Sequence, residues 1–135
     1  MSKYELIDFK TLGDQRGSLI AIEEGYNVPF EIKRVYYIFD TKEGVIRGYH
    51  AHMKLKQLCI AVKGSCTFVI DDGINKEEII LNTPNKGLLI EGLIWREMKN
   101  FTSDCVLVVI ASEYYDESDY IRDYEKFLEV LANDI

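Results

Sequence analysis

Eight short runs of β-branched, aliphatic and aromatic residues recur along the chain: 5–9 (ELIDF), 18–23 (SLIAIE), 33–39 (KRVYYIF), 57–62 (QLCIAV), 66–71 (CTFVID), 77–81 (EEIIL), 87–91 (GLLIE) and 105–112 (CVLVVIAS). Many short strands at such spacing, each closed by a turn signal, predict an antiparallel sandwich or barrel. The intervening GDQRG, TKEGV, VKGS, DDGIN and NTPNKG carry the Gly, Asn and Asp that tight connections need. DDG at 71–73 predicts a hairpin, and Gly64 a second one. The period changes only near the end. From Asp116 onward, Tyr120, Ile121, Tyr124, Phe127, Leu128 and Leu131 recur at three and four residues, with Asp116 or Ser118 available as N-cap. That pattern predicts one amphipathic helix over about 117–132. The expected fold class is all-β with one C-terminal α-helix.

At 135 residues and 47% hydrophobic, the chain is sized for one domain with its own core, taken as residues 1–135, and it shows no repeat or Pro-rich linker. Its net charge of −7 is unevenly spread. Residues 111–135 hold eight carboxylates against Arg122 and Lys126, so the remainder is close to neutral. With no basic stripe to track phosphates, nucleic acid is not an expected partner, although a local basic pocket for one phosphorylated metabolite is compatible with the charge. No apolar run reaches membrane-spanning length, and MSKYELIDFK carries carboxylates where a signal peptide needs an apolar stretch. A cytoplasmic location and no membrane partner are expected. Cys59, Cys66 and Cys105 sit in or beside apolar runs and are expected to be buried free thiols.

The chemistry-bearing residues cluster in IRGYHAHMKLKQL, 46–58. Gly44, His50, His52, Gln57 and Gly64 fall at a spacing that resembles the first motif of the cupin superfamily, G-(X)5-H-X-H-(X)3-4-E-(X)6-G. Gly92, Arg96 and Asn100 resemble the second, G-(X)2-3-H-(X)3-N. The resemblance implies a double-stranded β-helix, or jelly-roll-like barrel. In metal-binding cupins the ligands are two His, a Glu and a last His; here Gln57 stands at the Glu and Arg96 at the last His. An amide is a weak neutral ligand, and a guanidinium has no lone pair and repels a cation. No metal and no cofactor are expected. Residues two apart on a strand share a face, so His50 projects with His52 and Arg34 with Tyr36. Buried together with Arg96, they need partners or a ligand.

The longer stretches DQRGSLIAIE, PFEIKRVYYIFDT, RGYHAH, GLLIEGLIWREM and FTSDCVLVVIASEYYDESDYIRDYEKF make the chain similar, over roughly residues 6–128, to the sugar 3,4-ketoisomerases. These cupins act on dTDP-4-keto-6-deoxyglucose on the way to 3-amino sugars. The resemblance implies an isomerase that moves the keto group from C4 to C3 through an enediolate. His50 then corresponds to the catalytic His and Tyr36 to a hydroxyl that relays or positions the proton. Arg96 lies where positive charge stabilises the enediolate, and His52 is either a second acid/base or the residue that orients a substrate hydroxyl. For the nucleotide, Arg47 is the first candidate for the diphosphate, followed by Lys33, Arg34 and Lys54. Gln57 counts among the substrate-binding groups, Trp95 and Tyr49 either flank the base or pack, and Arg16 is a candidate for the sugar. Relatives carry Tyr or Arg at the position of Arg16 and His or Arg at that of Arg96, in connection with the C4 face protonated. This chain has Arg at both, so the C4 configuration stays open. Alternatives are a 3,5-epimerase on the same nucleotide sugar and a non-catalytic sugar-binding cupin. A homodimer is expected, because an N-terminal edge strand and the apolar helix face both need cover.

Overall fold

The computed structural model describes residues 2–133. In chain order the strands are β1 (Lys3–Asp8), β2 (Leu12–Asp14), β3 (Gly17–Leu19), β4 (Arg34–Ile38), β5 (Arg47–His52), β6 (Gln57–Lys63), β7 (Cys66–Asp71), β8 (Lys76–Leu81), β9 (Lys86–Glu91), β10 (Trp95–Lys99), β11 (Val106–Ala111) and β12 (Tyr120–Ile121). One helix follows, α1 (Tyr124–Asn133). The strands form two five-stranded sheets, ordered β1-β9-β6-β11-β4 and β12-β5-β10-β7-β8, and β2 pairs with β3 alone. All pairings between these strands are antiparallel. Two antiparallel sheets face to face, with one helix against an outer face, make the expected cupin barrel.

Three apolar layers explain why the strand runs are so continuously hydrophobic. Between the sheets lie Cys59, Phe68, Ile70, Leu81, Leu88, Ile90, Ile94, Leu107 and Val109. The alternate residues of the first sheet, Leu58, Ile60, Leu89 and Ile110, point outward and are covered by Phe9, Val28 and residues of the 20–32 segment such as Ile22 and Phe30. On the second sheet, Ala51, Leu93, Trp95 and Ile121 are covered by Phe127 of α1. Strands buried on both faces lose the apolar/polar alternation of a half-exposed sheet. Cys59, Cys66 and Cys105 are buried and free. Among the described residues no helix is long and apolar enough to cross a membrane.

Three local expectations are corrected. The 18–23 run forms a strand only to Leu19, because Ile20 and Ile22 leave the hairpin to cover the outer face of the first sheet. Gly64 does not close a hairpin: β6 and β7 belong to opposite sheets. There the chain crosses the sandwich, held where Ser65 N–H donates to Thr102 Oγ1 and Thr102 N–H to the Ser65 carbonyl. A Cβ on Gly64 would meet Thr102, Asp104 and Cys105 within 2.7 Å, on a backbone with φ +67°. DDG does turn a hairpin, with Asp72 Oδ1 accepting from the amides of Ile74 and Asn75 between paired Asp71 and Lys76.

The helix expected over 117–132 starts later, at Tyr124. Asp116 caps only a 3-10 turn over Glu117–Asp119, and Tyr120–Ile121 forms β12 against β5, Tyr120 opposite His52 and Ile121 opposite Ala51. Tyr120 and Ile121 fit a helical stripe in sequence, yet as a strand they bury Ile121 in the outer layer. Asp123 starts the real helix, its Oδ1 accepting from Glu125 N–H at 3.2 Å and its carbonyl from Phe127 N–H at 2.9 Å. The apolar face of α1 is covered within its own chain, which removes one of the two expected reasons for a dimer.

Candidate active site

A backbone irregularity on β5 positions the histidines. Gly48 has φ +91° and Tyr49 φ +56°, and the pairing of β10 with β5 shifts between Arg96 and Glu97. Such a bulge re-aims the residues that follow it. Gly48 is required by both conformation and space, since a Cβ there would sit 2.9 Å from the Arg96 carbonyl. Beyond the bulge, His50 lies opposite Arg96 on β10.

Arg96 is 1% exposed and faces no carboxylate among its hydrogen-bond partners. Its Nη1 donates to Gln57 Oε1 at 2.5 Å and its Nη2 to the Ile94 carbonyl at 2.9 Å. The Gln57 Nε2 in turn donates to Tyr36 Oη at 3.0 Å. Arg96, Gln57 and Tyr36 thus form a chain of donors across β10, β6 and β4. Because Tyr36 accepts from Gln57, its own O–H is available for a ligand. Burial, above all, pushes the Tyr36 hydroxyl up to about 12, so it remains a donor at neutral pH. Burial lowers Arg96 to about 10, which leaves it charged at pH 7.

Both histidines are held neutral. Burial, then the Arg96 cation, lowers His50 to about 4, and the same two causes in the same order lower His52. A contrary influence on His52 is Asp119, whose Oδ2 lies 3.2 Å from Nδ1. Desolvation prevails, and His52 stays neutral beside that carboxylate. The Tyr120 ring stands 5.0 Å from the His50 ring and 4.3 Å from the His52 ring, with the two imidazoles 4.7 Å apart and edge-on.

Two cavities meet here. The larger, about 590 Å³, is bounded by Arg34, Tyr36, Arg47, Tyr49, His50, Met98, Tyr115, Tyr120 and Arg122, among others. The smaller, about 360 Å³, is bounded by Arg34, His52, Lys54, Tyr115, Asp119 and Tyr120, among others. Arg34, Tyr115 and Tyr120 wall both. The Arg34 guanidinium lies over the rings of Tyr36 and Tyr115, at 5.0 and 5.6 Å. The larger cavity therefore combines a neutral imidazole and a phenol with the cations Arg34 and Arg47, and with Arg122 held by Glu117 at 2.9 Å, suited to an anionic ligand with an acidic C–H.

Not every expected residue is brought here. Tyr36, His50, His52, Gln57 and Arg96 converge, Arg34 and Arg47 line the larger cavity, and Lys54 the smaller. Gln57 is 3% exposed and serves as an internal bridge. Trp95 is taken out of the site. One residue from Arg96 on a strand, it faces the other way, packs on Tyr124 and Phe127 beneath α1, and donates Nε1–H to Glu97 at 3.0 Å. Lys33 pairs with Glu113 at 3.7 Å and lines neither cavity. Arg16 lies on the exposed β2–β3 turn, its Nη2 2.7 Å from Asp14 Oδ2, outside both cavities of its own chain. Sequence reading missed Asp119, Tyr115, Tyr120 and Arg122 as site residues. The signal available was the Asp-Glu-Ser-Asp run, whose composition favours a turn over a helix start.

The metal chemistry of other cupins does not fit this donor set. The Gln57 oxygen is occupied by a fixed cation standing where a fourth ligand would be, so His50 and His52 are left without a complete set.

The depressed histidines have a measurable consequence. Above pH 6.5 both are neutral whether the chain is folded or not; below it the unfolded chain takes up protons that the fold refuses. Stability is therefore expected to fall as pH drops from 6.5 toward 4, by about 1.4 kcal/mol per pH unit for each refused proton. Urea melts across that range check it, and His50→Asn should flatten the decline. A slope unaffected by His50→Asn would contradict the depressed imidazole.

The family model FdtA, described as WxcM-like, C-terminal, matches residues 2–132. The chain is 53% identical over 128 residues to the TDP-4-oxo-6-deoxy-alpha-D-glucose-3,4-oxoisomerase of Aneurinibacillus thermoaerophilus, covering 95% of this chain and 92% of that one. A crystal structure of a 3,4-ketoisomerase from Helicobacter canadensis is similar with a TM-score of 0.93 at 50% identity, over 96% of this chain and 97% of the other. A mutant of the 3,4-ketoisomerase QdtA from Thermoanaerobacterium thermosaccharolyticum, in complex with TDP-4-keto-6-deoxyglucose, superposes with a TM-score of 0.94 at 44% identity, over 98% and 96% of the two chains. With the match running through nearly every described residue, and the fold agreeing, the chain belongs to the FdtA, WxcM-like C-terminal family of cupin sugar 3,4-ketoisomerases.

Proposed function

We propose that this protein is an isomerase that moves the keto group of dTDP-4-keto-6-deoxy-D-glucose from C4 to C3, giving a dTDP-3-keto-6-deoxyhexose for 3-amino sugar synthesis. The observation that carries the reading is the neutral His50 imidazole on the wall of the larger cavity, opposite a fully desolvated Arg96 cation tied through Gln57 to the Tyr36 hydroxyl. A 4-ketone acidifies the hydrogen on C3. His50 takes that proton, and the electron pair moves into the C3–C4 double bond and onto O4. The Tyr36 O–H donates to O4, and the Arg96 cation behind it, tied to Tyr36 through Gln57, stabilises the developing charge. The proton returns to C4, the O3 proton passes to O4, and C3 is left as the ketone. Arg34 and Arg47 hold the diphosphate, with Lys54 contributing from the smaller cavity.

The test is a proton NMR time course with dTDP-4-keto-6-deoxyglucose in heavy water. Deuterium entering at C4 while the ketone appears at C3 is the expected result. Exchange at C3 and C5 without migration would mean an epimerase, and no exchange at all a binding protein.

The reading includes one domain carrying the activity, a cytoplasmic location in keeping with three free buried thiols, and a homodimer. Val35 and Tyr37 stand exposed on the outward side of β4, at the edge of the first sheet, with Phe39 exposed just past its end and Val62 and Leu19 exposed elsewhere. An apolar edge of this kind favours a self-complementary contact. Light scattering should give close to twice the chain's 15.6 kDa at micromolar concentration, and Tyr37→Asp should reduce it. A wild-type monomer would overturn the dimer.

A further inference from the structure

His52 has one ring nitrogen explained and one not. Its Nδ1 meets Asp119 Oδ2 at 3.2 Å, while Nε2 is buried with no hydrogen-bond partner in a side chain only 1% exposed. Asp119 is held to this geometry from several directions. Its Oδ1 accepts from Lys54 N–H at 2.8 Å and its Oδ2 from Leu55 N–H at 3.2 Å. Its carbonyl accepts from Met53 N–H at 3.0 Å, and the next residue, Tyr120, pairs with His52 in the sheet. A carboxylate only accepts, and with these donors around it the contact with His52 is left to be made by an N–H.

We infer that Asp119 is a positioning residue for the reaction: it fixes His52 in the Nδ1–H tautomer and thereby keeps Nε2, on the far side of the ring, as an acceptor inside the barrel. The inference rests on the ketoisomerase reading for what that acceptor does, and on geometry alone for the tautomer. In the isomerisation two protons move, the carbon-bound one from C3 to C4 and the hydroxyl one from O3 to O4. With His50 on the first, His52 Nε2 takes the second from O3 and returns it to O4. The imidazole ends as it began, and the Asp119 carboxylate beside Nδ1 steadies the transient imidazolium.

Asp119→Asn separates this role from support of the turn. With the amide oxygen kept on the Lys54 N–H, the amide nitrogen, a donor, takes the place of Oδ2 and gives up the Leu55 bond. Facing His52 Nδ1 it demands a bare nitrogen there, which drives the proton to Nε2. The chain has only two histidines, so a long-range proton–nitrogen spectrum of the full-length protein labelled at histidine shows two imidazoles, and His50→Asn assigns them. In wild type, His52 is expected with Nδ1 protonated and Nε2 bare. In Asp119→Asn the two exchange, kcat falls by about 100-fold or more, and KM moves only a few-fold. Asp119→Glu restores the Nδ1–H form and part of the turnover. Nε2–H in the wild type, or an exchanged tautomer with unchanged kcat, overturns the inference. If Asp119→Asn does not fold, the wild-type and Asp119→Glu spectra decide it. A wild-type protein that leaves dTDP-4-keto-6-deoxyglucose untouched but shows the Nδ1–H form defeats the ketoisomerase reading and the proton shuttle built on it, while supporting the tautomer assignment.

Discussion

His50→Asn is expected to lower turnover of dTDP-4-keto-6-deoxyglucose by about 100-fold or more, with TDP affinity nearly unchanged. Asn fills much of the same space and can still hydrogen-bond, but it cannot carry a proton away from carbon. Because His50 is already neutral in the folded protein, the change uncovers no buried charge and the Arg96–Gln57–Tyr36 chain is left intact. The heavy-water NMR time course checks turnover, and calorimetric titration with TDP checks affinity. A mutant that moves the ketone as fast as wild type would remove His50 as the base and make His52 the leading candidate. The free-enzyme pH profile sharpens the point. With His50 at about 4, the acid limb of kcat/KM should lie well below the 6.5 of an ordinary imidazole.

Arg96→Met is expected to cost about 100-fold or more in kcat, because it removes the preorganised charge behind the Tyr36 donor at a developing oxyanion. Its effect on stability should be small or favourable, which distinguishes it from an ordinary core lesion. Arg96 is a desolvated cation with a neutral amide and a carbonyl for partners, and replacing such a group by an apolar side chain of similar length relieves its desolvation. Against that stand Gln57 Oε1 and the Ile94 carbonyl, each costing about 1–3 kcal/mol if left unpaired. The two effects are of similar size. The same substitution removes the second-largest cause of His50's low pKa, so its titration should move up toward 6.5. Thermal melts, turnover and an NMR titration of the two histidines read all three consequences on one variant. Full activity in Arg96→Met would take the guanidinium out of the mechanism. A histidine titration that stays near 4 would mean burial alone sets it.

The amino-acid order by itself determined most of the strands and part of the pocket's lining. A strand alternates its faces every second residue, so RVYYI and RGYHAH announced which of Arg34, Tyr36, His50 and His52 travel together. That Arg96 cannot serve as a metal ligand was equally legible, since a guanidinium lacks a lone pair wherever it points. What only the tertiary structure decided were relations across distance and choices between patterns that fit equally well. Tyr120 and Ile121 satisfy a helical stripe and a strand alike; the pairing partner offered by β5 and the cap offered by Asp123, not local preference, put the helix start at Tyr124. Trp95 and Arg96 are neighbours, and only the docking of α1 on one face of β10 showed which enters the site and which anchors the helix. Gln57 reads in sequence as a substituted ligand, but in the barrel it is a bridge between residues 21 positions before it and 39 after it. His52 meets Asp119 across 67 positions, and Arg16 ends on an exposed turn although it stands in a matching motif. Local pattern reports which face a residue takes, because that follows from backbone geometry. Which faces meet follows from how the sheets bury one another, and that is a property of the whole chain.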